Sequence, residues 1–194
     1  MDKNFAFEDE EEQRLFNELP KETQIYIYRN YLYREFLQSF RRFFSIRNPT
    51  CHHQPAFYTW DNQKYQNFML CLLRCLEPRR EERGVMLVKE LDEFNEVYFF
   101  NRGIYEIGFE INHKCFFVLR YKNSNVIGAY GVTFNVRALF VYKTFSACEG
   151  FSIRKQNWIN EILDQNETIM SVIKDSVKED YETYVKRKLL SAKQ

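Results

Sequence analysis

Apolar side chains recur every three or four positions near both ends of the chain and every second position in its middle. The first spacing places them on one face of a helix, and the second on one face of a strand. The pattern therefore predicts helices, then a β-rich centre, then helices. Near the N-terminus it predicts a short helix before Pro20 and an amphipathic helix over residues 21–44, whose core positions are Ile25, Tyr28, Leu32, Phe36, Phe40 and Phe43.

Further helical segments flank the centre. The stretch "DNQKYQNFMLCLLRCLEP" predicts a helix with Asp61 as its N-cap and Pro78 beyond its end. After the centre, "RKQNWINEILDQ" predicts one amphipathic helix, and Asn166 is a suitable cap for another. The apolar stripe of this last helix comprises Ile169, Ile173, Val177, Tyr181, Tyr184, Val185 and Leu189.

The centre has the pattern of short strands. All six glycines fall between residues 84 and 150, where they mark turns and bulges. Runs such as "EVYFFNRG", "YEIGFEIN" and "VIGAYGV" predict about eight strands, with a hairpin at Asn112–His113–Lys114. The predicted fold class is α+β, an antiparallel, jelly-roll-like β-roll flanked by helices. Its expected core positions are Phe99, Ile107, Phe109, Phe117, Leu119 and Phe151.

Composition and charge exclude several classes of function. Lys and Arg number 28 against 27 Asp and Glu, and a net charge of +1 argues against a broad nucleic-acid surface. No apolar run is long enough to span a bilayer, and the acidic start is unlike a signal peptide, so a cytoplasmic chain without direct membrane insertion is expected. The five cysteines are then expected to be reduced, with Cys71 and Cys75 serving packing.

The histidines argue against a metal centre. Cys51, His52 and His53 lie together in a loop, but adjacent histidines point in different directions, and no second Cys/His cluster completes a four-ligand site. A cupin-type enzyme would need several histidines on the strands of the roll, where His113 stands alone. We therefore expect no metal and no enzymatic activity.

The segment "VIGAYGVTFNVRA" raises the question of a ligand. Its glycines would let backbone N–H groups approach a small molecule closely, and Arg137 is suited to clamping a phosphate.

The order of helix, roll and closing helices resembles the cyclic nucleotide-binding domain. The resemblance is carried by the helix with Phe68 before Pro78, by Gly84, by "EVYFFNRG" ending at Gly103, and by "CEGFSIRKQNW" at the last strand. It implies a domain of helix, β-roll and two closing helices over residues 61–194.

The N-terminal block extends the resemblance to ion channels. The stretch "RLFNELPKETQIYIYRNYLYREFLQSFRRF" resembles the later helices of the linker that joins such domains to the pore in cyclic-nucleotide-gated, hyperpolarisation-activated and related voltage-gated potassium channels. "DEFNEVYFFNRGIYEIGFEIN" and "VIGAYGVTFN" resemble ciliate cation channels. The resemblance implies that residues 1–60 are a partial linker and loop, that the chain lies at the inner face of a membrane, and that sister subunits form a homotetramer. The linker is then expected to mediate self-association through Phe36, Phe40 and Phe44.

Ligand-binding members of that family read F-G-E, a short helix and R-(T/S)-A after the sixth strand. Their Glu accepts a hydrogen bond from the ribose, and their Arg pairs with the cyclic phosphate. Here Ala129 stands at the acid position, the segment is shorter, and Val136 rather than Arg137 falls at the arginine position. Loss of the carboxylate alone would cost about 1.5–3 kcal/mol of binding free energy. The candidate ligand-binding residues of this degenerate cassette are Gly128, Ala129, Tyr130, Arg137, Ala138 and Thr144.

The expected function is non-catalytic regulation of a tetrameric cation channel, selective for potassium, without a cyclic nucleotide bound in the usual mode. The C-terminal helix would shift against the roll, and the helix at 21–44 would carry that shift towards the pore. The alternative is a genuine cAMP or cGMP sensor that uses the amides of Gly128 and Ala129, Arg137, and Thr133 or Thr144. A scaffold outside any channel also stays open.

Overall fold

Helices at both ends of the chain enclose two four-stranded antiparallel sheets. The computed structural model describes residues 10–46, 57–122, 124–164 and 167–192. Cys51, His52 and His53 and the expected cap Asn166 lie outside these ranges. The prediction of an α+β fold with an antiparallel roll of eight strands is confirmed.

The N-terminal apolar stripe forms several short helices and not one long helix. They are α1 (Glu10–Glu18), α2 (Lys21–Ile27), the π-helical turn π1 (Tyr28–Leu32) and α3 (Arg34–Ser39). The backbone leaves the helical region at Tyr33, where φ and ψ are −117° and 19°. Because a π turn is wider than an α turn, it rotates the face that follows it. The prediction of one continuous helix is therefore wrong, and Phe44 takes the buried place expected for Phe43.

The helix α4 spans Gln63–Arg74 and begins at a side-chain cap. Oδ1 of Asn62 accepts hydrogen bonds from the N–H groups of Lys64 and Tyr65 at 3.0 and 3.2 Å. The N-cap is thus Asn62 and not Asp61, one residue later than predicted, and both residue types suit that position. Pro78 lies beyond the helix, as predicted.

Each neighbouring pair of strands in the two sheets is antiparallel. The strands are β1 (Glu77–Glu81), β2 (Met86–Val88), β3 (Glu96–Arg102), β4 (Ile104–Ile111), β5 (Lys114–Lys122), β6 (Asn125–Ile127), β7 (Val141–Thr144) and β8 (Cys148–Arg154). One sheet has the order β1-β8-β3-β6, and the other β2-β7-β4-β5. The predicted hairpin is confirmed between β4 and β5, where Asn112 and His113 have φ of 50° and 60°, as a two-residue turn of this kind requires.

One stretch interpreted as a strand is mostly helical. In "VIGAYGV" the strand β6 ends at Ile127, and the helix α5 spans Ala129–Phe134. Gly128, with φ of 85°, reverses the chain between them, and its carbonyl accepts the N–H of Val132 at 2.9 Å. A short apolar run with glycines fits both a strand and a helix, so its pattern alone does not separate the two.

A buried aromatic cluster joins the N-terminal helices to the roll. The ring centroids of Phe36, Phe40 and Phe44 lie 5.5, 5.2 and 6.1 Å from that of Phe99 in β3. All four side chains are buried. The expectation that these three N-terminal phenylalanines mediate self-association is wrong, because they form the core of their own chain.

Most of the expected core of the roll is confirmed. Phe99, Ile107, Phe109 and Phe151 are buried. The remaining two, Phe117 and Leu119, are half-buried because β5 lies at the edge of its sheet.

The C-terminal segment crosses the mouth of the roll. It comprises π2 (Asn157–Leu163), α6 (Glu167–Asp180), the π-helical turn π3 (Tyr181–Lys186) and α7 (Arg187–Ala192). Its predicted apolar stripe is confirmed: Ile169, Ile173, Val177 and Leu189 are buried, and Tyr181, Tyr184 and Val185 are half-buried.

Candidate functional site

The glycines of the candidate segment make room for a side chain of the same chain. A Cβ on Gly131 would lie 2.1 Å from Cδ2 of Phe94, and one on Gly128 would lie 2.5 Å from the carbonyl oxygen of Glu96. The Phe94 ring therefore lies against the first turn of α5, and it also contacts Tyr142 edge-on at 5.7 Å. Both glycines are accounted for by this close packing.

A cavity of about 160 Å³ lies between α5, the roll and the C-terminal helices. Gly128, Ala129, Tyr130, Arg137 and Ala138 all line it, so the fold brings these candidate residues together. The rest of the lining is largely aromatic and aliphatic and includes Phe40, Phe43, Phe94, Tyr105, Ile107, Tyr121, Tyr142, Val177, Tyr181, Tyr184 and Val185. Among its described residues the charged groups are Arg42, Arg137 and Asp180.

The guanidinium group of Arg137 is engaged at the rim of the cavity. Nη1 donates to the carbonyl oxygen of Leu91 at 3.1 Å, and Nη2 lies 3.6 Å from Oε1 of Glu93. The neighbouring backbone is also fixed, because Ala138 N–H donates to the carbonyl of Asp92 at 2.9 Å. The arginine side chain is mostly exposed, at 65%. It is held by Leu91 and Glu93.

The C-terminal segment covers α5 by an aromatic stack. The rings of Tyr130 and Tyr181 are nearly parallel, at 6°, with their centroids 4.1 Å apart. Burial raises the pKa of Tyr181 to about 12, and the neighbouring Tyr130 adds to that rise. The hydroxyl of Tyr121 donates to the carbonyl oxygen of Tyr184. The stack therefore holds the C-terminal segment against α5.

A second contact joins the N-terminal helices to the same cover. The Arg42 guanidinium lies 4.3 Å from the ring centre of Tyr184 and 3.3 Å from Oδ1 of Asp180. Burial raises the pKa of Asp180, and Arg42 opposes that rise. The N-terminal helices and the C-terminal segment thus meet beside the cavity.

The two candidate threonines are engaged within the chain. Oγ1 of Thr144 donates to the carbonyl of Glu82 at 2.6 Å and accepts the N–H of Val85 at 2.8 Å. These contacts place it at the turn before β2, apart from the other candidates. Oγ1 of Thr133 accepts the indole N–H of buried Trp158 at 2.9 Å, which ties α5 to π2.

Within the described ranges, no cluster of three or more His, Cys, Asp or Glu side chains could hold a metal ion. Over the same ranges no helix has both the length and the apolar character needed to cross a bilayer.

Comparisons with known proteins return similar folds and no sequence family. No family model matches the chain, and no curated protein does. Among solved structures, the regulatory subunit of a cAMP-independent protein kinase A from Trypanosoma brucei has a TM-score of 0.57 and 15% identity over 84% of this chain and 50% of its own. The chain shares the fold of this regulatory subunit over the matched part.

Two further structures are similar. The corresponding subunit from Trypanosoma cruzi, bound to guanosine, has a TM-score of 0.50 and 14% identity over 63% of this chain and 43% of its own. The regulatory domain of Toxoplasma gondii protein kinase A with cAMP has a TM-score of 0.49 and 15% identity over 92% of this chain and 51% of its own. At these identities the similarity concerns the fold alone. The chain spans about half the length of these proteins or less.

Sequence reasoning missed three residues that shape the site. Phe94 carries no motif signal, and only its contact with the glycines shows its role. Tyr181 was in the predicted stripe, but a stripe does not tell which residue stacks on α5. Arg42 carries no signal in the sequence, and its contact with Tyr184 depends on how the N-terminal helices and the C-terminal segment meet.

Proposed function

We propose that this chain is a non-catalytic regulatory domain whose cavity is covered by its own C-terminal helices and does not hold a cyclic nucleotide in the usual mode. The observation that carries the proposal is the stack of Tyr181 on Tyr130, directly over α5. Ala129 offers no carboxylate to a ribose, and the Arg137 guanidinium is engaged by Leu91 and Glu93. The cavity is also smaller than the roughly 300–1,000 Å³ of most small-molecule sites.

The first test is thermal unfolding with millimolar cAMP or cGMP, for which we expect an unchanged midpoint. A ligand at 100 times its dissociation constant would add about 2.7 kcal/mol, which is several degrees for a chain of this size. The matched pair of variants is Arg137→Ala and Arg34→Ala, the latter an exposed arginine on α3. Stabilisation that disappears in Arg137→Ala and persists in Arg34→Ala would overturn the proposal.

The same titration decides on the second candidate, a cAMP or cGMP sensor with an unusual cassette. That candidate is favoured by one observation, namely that Gly128, Ala129 and Arg137 still line one common cavity. Guanosine belongs in the titration, because an uncharged nucleoside needs no arginine. If guanosine stabilises the wild type and the Arg137→Ala variant equally, the nucleoside can enter the cavity, which contradicts the proposed cover. The proposed loss of phosphate recognition would still hold in that case.

We further propose that the domain acts in the cytoplasm as part of a tetrameric potassium-selective cation channel. The linker-like N-terminal sequence suggests this context. The contact of Arg42 with Tyr184 and Asp180 supports a conformational coupling between the two segments. A movement of the C-terminal segment would displace the end of the N-terminal helices through this contact. In this mechanism the domain transmits a conformational change to the channel and has no catalytic role.

Self-association is the measurable consequence of the channel context. The N-terminal helices expose Leu15, Tyr26 and Tyr31 by 61%, 56% and 67%, a surface suited to a sister subunit. We expect multi-angle light scattering at high protein concentration to show species larger than the monomer, and Tyr26→Glu/Tyr31→Glu to reduce them. Deletion of residues 1–46 is a poor test because it would uncover Phe99.

The control for this experiment is a second exposed apolar pair. Phe116 and Val118 on β5 are exposed by 50% and 42%, so Phe116→Glu/Val118→Glu makes an equal change of charge elsewhere. A monomer at every concentration, or association lost only in the β5 variant, would contradict the proposed surface.

A further inference from the structure

One wall of the cavity is a face of the sheet that contains β4, β5 and β7. Ile107 pairs with Tyr142 across β4 and β7, and Tyr105 pairs with Tyr121 across β4 and β5. Residues directly opposite each other, or two apart along one strand, point to the same face of a sheet. The four side chains therefore form one patch of the wall, and all four line the cavity.

Two tyrosine hydroxyls of this patch have no hydrogen-bond partner among the residues that the structure describes. They belong to Tyr105 and Tyr142, whose side chains are only 5% and 4% exposed. The third hydroxyl, on Tyr121, is already used, because it donates to the carbonyl oxygen of Tyr184. A buried hydroxyl normally has a partner, so the two unpaired ones require an explanation.

Both unpaired hydroxyl oxygens are open to the cavity. Among the described side chains that are not exposed, Oε2 of Glu96 is the one oxygen or nitrogen that is both sealed and without a hydrogen bond. The hydroxyl oxygens of Tyr105 and Tyr142 are also without a hydrogen bond, so neither of them is sealed. Because both residues are buried and line the cavity, the space that reaches these oxygens is the cavity itself.

The charged groups among the described lining residues are all paired. Arg42 lies 3.3 Å from Asp180, and Arg137 lies 3.6 Å from Glu93. Burial raises the pKa of both cavity-facing tyrosines, and the neighbouring tyrosines add to that rise, so both hydroxyls are neutral donors at physiological pH. A charged ligand would therefore lose its water without gaining an opposite charge.

We propose that the cavity binds a small uncharged molecule with one aromatic ring and a hydrogen-bond acceptor, to which Tyr105 and Tyr142 donate. This inference rests on the proposed function, because the ligand would lie beneath the cover of C-terminal helices. The cavity measures about 160 Å³, and an enclosed apolar cavity of about 150 Å³ in a protein binds benzene. A nucleoside is larger and would require the cover to open.

The walls favour a flat ligand over water. The rings of Tyr105 and Tyr121 are stacked with centroids 5.5 Å apart, and Phe94 contacts Tyr142 edge-on at 5.7 Å. A further aromatic ring gains from contact with such surfaces. A buried water typically makes about three hydrogen bonds, and a largely aromatic and aliphatic lining offers few of them.

Binding of 4-methylpyridine and toluene to the full chain tests the proposal. The two molecules have the same shape, but only 4-methylpyridine has an acceptor, its ring nitrogen, which is unprotonated at pH 8. We expect ligand-observed NMR titrations to show that both bind the wild type. In Tyr105→Phe/Tyr142→Phe, which removes only the two hydroxyls, the Kd of 4-methylpyridine should rise about three- to tenfold, the range for one hydrogen bond. The Kd of toluene should not rise.

Tyr98→Phe is the matched control. Tyr98 is also a buried tyrosine, but it lies on β3 in the other sheet and does not line the cavity. The proposal is overturned if neither molecule binds, if the double variant leaves the affinity for 4-methylpyridine unchanged, or if Tyr98→Phe weakens that affinity equally. The single variants Tyr105→Phe and Tyr142→Phe give the same decision if the double variant does not fold.

Two further measurements separate this inference from the proposed function. Stabilisation by cAMP that disappears in Arg137→Ala contradicts the proposed function, whereas the absence of binding by both small molecules, with cAMP also without effect, contradicts this inference alone. Bound 4-methylpyridine should leave hydrogen exchange in residues 181–186 unchanged or slower, because the stack of Tyr181 on Tyr130 stays in place. Faster exchange there would show that the ligand displaces the cover and would overturn the inference.

Discussion

At the scale of single residues, Gly131 and Phe94 explain why the candidate segment keeps its glycines. The sequence marks Gly131 as a position where another group packs closely against the backbone, because a glycine within an apolar run is typical of such packing. The identity of the packing group was not predictable, since Phe94 lies well before Gly131 in the sequence and belongs to no recognisable motif. The structure places its ring where a side chain of residue 131 would be.

This contact predicts the effect of Gly131→Ala. Alanine would favour the α5 helix by about 1 kcal/mol, but overpacking against buried Phe94 costs about 1–3 kcal/mol. We therefore expect a net loss of unfolding free energy in urea denaturation. In a Phe94→Ala background the same change should be neutral or stabilising. An equal loss in both backgrounds would mean that the ring does not limit residue 131.

The candidate ligand-binding residues were likewise only partly predictable from the sequence. Ala129 and Arg137 were named as candidates because their segment resembles the family's ligand-binding cassette. That Arg137 pairs with Glu93 could not be predicted, because the partner comes from a loop that meets it only in the folded chain.

At the scale of elements, periodicity was sufficient for the C-terminal helices and insufficient for the N-terminal ones. The stripe from Ile169 to Leu189 is long and regular, so its buried face follows from helix geometry alone. The N-terminal stripe is equally regular, but the contacts of Tyr33 with Phe151 and of Phe36 with Phe99 impose a curved path around the roll. Tertiary contacts there overrode the local preference.

The stack of π3 on α5 predicts a pH dependence. The pKa of Tyr181 is about 12 in the folded chain and about 10 when unfolded, so the native state holds the proton more tightly. Its contribution is complete below pH 10 and is lost as the pH rises to 12. Urea denaturation should show wild type losing stability more steeply than Tyr181→Phe over that range.

The phenylalanine variant keeps the ring and removes only the ionisable hydroxyl. Below pH 9 the slopes of the two proteins against pH should be the same. Tyr65 and Tyr98, whose pKa values burial also raises to about 12, titrate in both proteins and set the shared background. Identical profiles up to pH 12 would contradict the half-buried, stacked position of Tyr181.

At the scale of the whole molecule, the linker-like helices and the roll share one core. Phe36 contacts Phe99 and Phe151 at 5.5 and 5.4 Å between ring centroids, and all three are buried. The resemblance divides the chain near residue 60, and Phe36, Phe40 and Phe44 pack against Phe99 of the roll across that division.

This shared core predicts the behaviour of Phe36→Ala. Truncation of a fully buried phenylalanine costs about 3–5 kcal/mol, and we expect that loss for the whole chain. Urea transitions followed by tryptophan fluorescence and by far-ultraviolet circular dichroism should coincide. Tyr31→Ala, at an exposed position of π1, should change stability by less than about 0.5 kcal/mol. Two separate transitions would show that the helices unfold independently.

The sequence by itself determined the helices at both ends and the β-rich centre between them, the roll, the hairpin at Asn112–His113 and the buried stripe of the last helix. These follow from local periodicity and turn chemistry, which act between residues close in the chain. Only the tertiary structure decided the break at Tyr33, the ring of Phe94 against the glycines, the engagement of Arg137 and the stack of Tyr181 on Tyr130. Each of these joins residues far apart in sequence, and no local pattern encodes which distant side chain fills a given space.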